Sequence, residues 1–88
     1  MQHNRGKVRM ANYQRLVESF LIAYQPTLKA ELEREGALPA YLEEQAEAMQ
    51  RTKSQILAEM KERTPESSPL QRDIEAERTV LEMFLTPL

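Results

Sequence analysis

Two carboxylate pairs stand about one helical turn apart, Glu31 with Glu35 and Glu44 with Glu47, the spacing at which acids on a helix converge on a carboxylate-bridged metal pair. Such centres also draw on Glu-x-x-His motifs from facing helices. The one histidine is His3, at the N-terminal end and outside any such motif. The acids are therefore read as surface residues, and no metal ligand is assigned. A single histidine also leaves no nucleophile–histidine arrangement and no histidine-ligated zinc site within one chain. Cysteine is absent, which removes thiolate sites and disulfide frameworks, and two glycines do not make a phosphate-cradling loop. The inventory points to a non-enzyme with no catalytic residue, no cofactor, no metal and no small-molecule substrate.

Two kinds of contact chemistry remain. Residues 1–17 carry Arg5, Lys7, Arg9 and Arg15 and no acid, so the rest of the chain holds all 14 acids against eight cations, a net charge of −6. A short basic arm on an acidic body can reach phosphate, because attraction to nucleic acid needs only clustered cations. The bland alternative is a solvated, disordered leader. The segment before Met10 also reads as an upstream extension, since Met10-Ala11-Asn12-Tyr13 would itself make an ordinary protein start. Tyr13, Tyr24 and Tyr41 are amphipathic anchors, and Met49, Met60 and Met83 supply adaptable apolar surface. Periodicity alone leaves open whether these residues form core or a binding patch.

The elements that must position these groups are helical. Ala11 to Tyr24 repeats apolar residues at three- and four-residue spacings (Tyr13, Leu16, Val17, Phe20, Leu21, Tyr24), with Asn12 as an N-cap. Pro26 either kinks this helix or opens a second one at its first turn. A kink is preferred, because helix formers resume at once in TLKAELERE. Gly36 stands where a left-handed C-cap belongs. After a very short connector, Pro39 to Arg63 forms a long helix with a narrow seam, Leu42, Ala46, Met49, Ile56 and Met60, interrupted by Lys53. A lysine there either fixes register or lays its stem across the seam with its head in water. Glu47 with Arg51 and Glu59 with Arg63 mark the solvated side.

The TPESSP segment, Thr64 to Pro69, is a loop ending in a helix start, with Ser68 as N-cap, Pro69 at the first position and Gln71 completing a capping box. The third helix is expected to bury Leu70, Ile74, Leu81 and Phe84, with Val80 and Leu85 beside them, and to turn Asp73, Glu75, Glu77 and Glu82 outward. The longest apolar cluster, Phe20 to Tyr24, is far short of the roughly 20 residues that span a bilayer. No secretory signal pattern is present, so no membrane association and a cytoplasmic location are expected.

Leu38-Pro39-Ala40-Tyr41-Leu42 and Glu44-Gln45-Ala46-Glu47-Ala48-Met49 resemble the middle of TnpV-type transposon-encoded proteins, small helical proteins of mobile elements. The tryptophan expected in that family's later helix is missing, since the chain has none. The resemblance implies a small helical protein of mobile-element type and carries over no catalytic residue.

The sequence thus predicts an all-α fold: a helical hairpin of two long helices, the first kinked at Pro26, plus a third helix, closing as a three-helix bundle or a shared dimer core. Residues 1–10 form the basic arm and 11–88 one helical domain. A chain this short buries only about 60–65% of the surface its unfolded form exposes, which favours sharing a core. The function read from this is a protein–protein interaction module, such as an adaptor, assembly factor or small inhibitor of mobile-element or phage type, whose acidic body could mimic nucleic-acid charge. Its partner is another protein or a second copy, with Tyr41, Leu42, Met49, Lys53, Ile56 and Met60 as contact residues. The alternative is a nucleic-acid-binding regulator that uses Arg5, Lys7, Arg9 and Arg15.

Overall fold

The computed structural model describes residues 5–87, with side chains from Asn12 onward. Four helices follow one another: α1 (Arg5–Tyr24), α2 (Pro26–Glu35), α3 (Leu38–Arg63) and α4 (Pro69–Phe84). No strand occurs among the described residues, so the fold is all-α.

The first helix begins at Arg5 and not near Ala11. Asn12 therefore lies inside α1 and does not cap it, and Arg5, Lys7 and Arg9 belong to helical backbone. Pro26 breaks the helix instead of kinking it, so the expected long first helix is two helices. The residue before a proline is pushed out of the α region, and Gln25 sits at φ −139°, ψ 55°. Its N–H still donates to the Leu21 carbonyl at 2.8 Å, and its own carbonyl accepts from Lys29 N at 3.1 Å. Pro26, with no N–H, occupies a first-turn position where none is needed.

Gly36 ends α2 as expected, at φ 70°, ψ 20°. Its N–H donates to the Glu33 carbonyl at 3.1 Å, and the Ala37 N–H donates to the Leu32 carbonyl at 2.8 Å, the two bonds of a Schellman motif. Only Gly36 and Ala37 separate α2 from α3. At the far end of α3, the Thr64 hydroxyl donates to the Met60 carbonyl at 2.9 Å and the Ser67 hydroxyl to the Thr64 carbonyl at 2.8 Å. Ser68 caps α4, its Oγ accepting from Gln71 N at 3.0 Å. The capping box is only half made, because the Gln71 side chain reaches forward to Glu75 Oε2 at 3.1 Å. Past Phe84, the Leu85 N–H donates back to Leu81 and the Thr86 hydroxyl to the Glu82 carbonyl.

The chain divides inside α3 into two compact units, one reaching to Ala48 and the other running from Met49 to Thr86. In the first, Tyr13, Val17 and Leu21 of α1 and Ala46 of α3 are buried. Half of the apolar face expected on the first helix is left out, since Leu16 and Tyr24 are exposed and Phe20 is half-buried. Phe20 and Tyr24 instead meet each other, their ring centroids 5.2 Å apart. In the second unit, Met49 and Lys53 of α3 and Ala76 and Val80 of α4 are buried.

Candidate interaction surface

The second unit is organised by one cation. Lys53 lies on the seam side of α3, one turn after Met49, and only 3% of it is exposed. Its ammonium pairs with Asp73 Oδ1 at 3.0 Å and with Glu77 Oε1 at 2.9 Å. Asp73 and Glu77 stand four apart on α4, one turn above the other, so a single Nζ fits between their carboxylates. A buried ammonium is tolerated only when paired and hydrogen-bonded, and two acids supply this. Its head therefore does not snorkel to water. The same contact corrects the expected orientation of α4. Asp73 and Glu77 turn toward Lys53 while keeping part of their surface in solvent, and Glu75 is half-buried as well, which leaves Glu82 as the one acid of the four classed as exposed.

Two further polar features flank the cluster. Gln50, one turn before Lys53, has a buried Oε1 with no hydrogen-bond partner, an uncommon and costly state. Arg72 points away from the acids into the connector, its Nη1 donating to the Ser67 carbonyl at 2.5 Å and to the Thr64 carbonyl at 3.4 Å. That places a cation beside the C-terminal end of α3, where helix carbonyls favour positive charge. In the first unit, Lys29 and Glu33 pair on the surface of α2 at 2.8 Å. The Glu33 hydrogen bond holds the Lys29 ammonium above lysine's ordinary pKa. The lysine's contribution to the pair is thus present across the neutral range and is lost as pH rises through that raised value.

The six contact residues read from sequence lie on α3, but its seam is largely occupied. Met49 is fully buried and Lys53 nearly so, while Tyr41, Leu42, Ile56 and Met60 are half-buried. Ile56, expected at the centre of the seam and largely buried, keeps part of its surface in solvent. The three tyrosines divide: Tyr13 is core, Tyr24 is exposed, and Tyr41 is intermediate. Arg15 is exposed on α1, and the side chains of Arg5, Lys7 and Arg9 lie outside the described residues.

The large uncovered apolar side chains are elsewhere: Leu16, Ile22 and Tyr24 on α1, and Leu70, Ile74 and Met83 on α4. Leu70 is 71% and Ile74 57% exposed, although both belong to the stripe expected to form the core. The sequence held one signal for this. A lysine on a seam calls for acids, and Asp73 with Glu77 is an i,i+4 acid pair on α4 itself. Honouring that pairing turns Leu70 and Ile74 away from α3.

Among the described residues no three His, Cys, Asp or Glu side chains come together as a metal site, and no helix is long and apolar enough to cross a membrane. Comparison with known proteins returns no matching family model, no curated relative and no matching solved structure.

Proposed function

We propose that this chain is a non-enzymatic protein–protein interaction module, an adaptor, assembly factor or small inhibitor of the mobile-element or phage type that the Leu38–Met49 resemblance implies, working in the cytoplasm. The observation that carries this reading is the uncovered stripe on α4, where Leu70 and Ile74 stand in solvent. The one buried cation among the described residues, Lys53, is spent on internal ion pairs. Adjacent large apolar side chains that a chain leaves uncovered mark contact surfaces more often than isolated ones do. The helices would close as a hairpin with a further helix packed on it, in a bundle or in a core shared by two copies. The acidic body, at −6 over residues 18–88, suits a partner with a basic surface.

A second reading, nucleic-acid binding, draws on the helical backbone from Arg5 onward, which sets Arg5, Lys7 and Arg9 on the same helix as Arg15. Affinity capture with the wild-type chain and with the Leu70→Ser/Ile74→Ser double variant separates the two. A protein held by the first and lost by the second supports the interaction module. Duplex or single-strand binding at about 0.15 M salt that needs Arg5, Lys7 and Arg9 would replace it with the second reading.

A further inference from the structure

The face that α4 buries and the face its sequence makes most apolar are different. At about 100° per residue, Leu70, Ile74 and Leu81 fall on one line along α4. Ala76 and Val80, which are the buried residues of α4, lie roughly a third of a turn away. Burial is favourable in proportion to apolar area, so packing by size alone would turn Leu70 and Ile74 inward and Ala76 outward. What opposes this is Lys53, whose two ion pairs reach Asp73, beside the buried Val80, and Glu77, between the two faces.

We propose that α4 has two packing settings about its own axis, and that the Lys53–Asp73–Glu77 clasp selects the one that keeps Leu70 and Ile74 outside. The clasped setting buries Ala76 and Val80. In the turned setting, Leu70, Ile74 and Leu81 face inward and Asp73 leaves Lys53, while Glu77, between the two faces, stays at the edge. Buried ion pairs contribute little net stability relative to apolar packing, and their best-attested use is to fix register. A clasp of three charges can therefore choose between two settings of comparable packing, and packed elements change between discrete settings more readily than they deform. Ser68 capping is local to the start of α4 and is compatible with either setting. Lys53 is in this sense a positioning residue: it decides whether the apolar stripe is offered to a partner or covered by the chain itself.

The absence of native cysteine makes single-thiol labelling a direct test. Leu70→Cys and Ala76→Cys are each placed in the wild-type chain and in Lys53→Met, and the rate of reaction with a soluble thiol reagent is measured alongside helicity by circular dichroism. With Lys53 present, the thiol at position 70 reacts fast and that at position 76 slowly. With Lys53→Met and helicity retained, the expected result is a slowing of at least about tenfold at position 70 and a comparable acceleration at position 76, as for a residue moving between exposed and protected sites. An unchanged pattern in Lys53→Met overturns the proposal. Fast reaction at both positions also overturns it, because the clasp then holds the unit folded and does not choose a face.

Discussion

Lys53 and Met49 are neighbours on one seam and are buried for opposite reasons. Met49 is covered because its thioether side chain is apolar and adaptable, whereas Lys53 is covered because Asp73 and Glu77 replace the water it loses. Ile56, one turn further along, keeps partial exposure. The two apolar positions should therefore differ in truncation cost. Met49→Ala is expected to lower unfolding free energy by about 2–4 kcal/mol and Ile56→Ala by only about 1–2 kcal/mol, since the cost tracks the apolar area and cavity removed. Urea unfolding of the two variants gives the order. An equal or larger loss for Ile56→Ala would mean that Ile56 is covered by something beyond this single chain.

At the scale of elements, the boundaries are set by local chemistry that can be broken one group at a time. Gly36 ends α2 at φ 70°, and a Cβ placed there meets nothing within 4 Å. The cost of Gly36→Ala is thus purely conformational, about 1 kcal/mol for forcing a side-chain-bearing residue into the left-handed region, and Gly36→Asn should recover part of it because asparagine tolerates that region. At the start of α4, Ser68→Ala removes the acceptor for Gln71 N and is expected to cost about 1 kcal/mol. Denaturant midpoints at constant slope check both. If Gly36→Ala is neutral, the Schellman geometry does not hold in solution.

At the scale of the whole chain, a small protein that leaves Leu70 and Ile74 in solvent has incentive to associate. Sedimentation at micromolar concentration is expected to show a mass that rises with concentration, and the Leu70→Ser/Ile74→Ser double variant should shift it toward monomer. A strictly monomeric wild type would assign the stripe to a different protein. Electrostatics at this scale gives another expectation. With −6 on residues 18–88, duplex DNA should bind weakly at about 0.15 M salt, because four N-terminal cations release few counterions and the body repels phosphate. A fluorescence titration showing tight, salt-sensitive binding that is lost with Arg5→Ala/Lys7→Ala/Arg9→Ala would reverse the functional assignment.

The local signals were legible in the residues themselves: the all-α class from helix formers and periodicity, the end of α2 from Gly36, the connector from the two prolines and two serines of TPESSP, and the cap from Ser68. Each depends on a handful of adjacent residues and on backbone geometry that they alone impose. Pro26 was legible as an interruption, but whether it kinks or breaks depends on Gln25 leaving the helical region, which the preceding-residue clash favours without compelling. The face of α4 was not legible. Its apolar stripe gave one answer and its acid pair another, and the choice rests on Lys53, some twenty residues earlier in the chain. Only the tertiary structure brings that ammonium to Asp73 and Glu77, because the demand of a buried charge for partners is met across helices, and the periodicity of neither one says which acids will meet it.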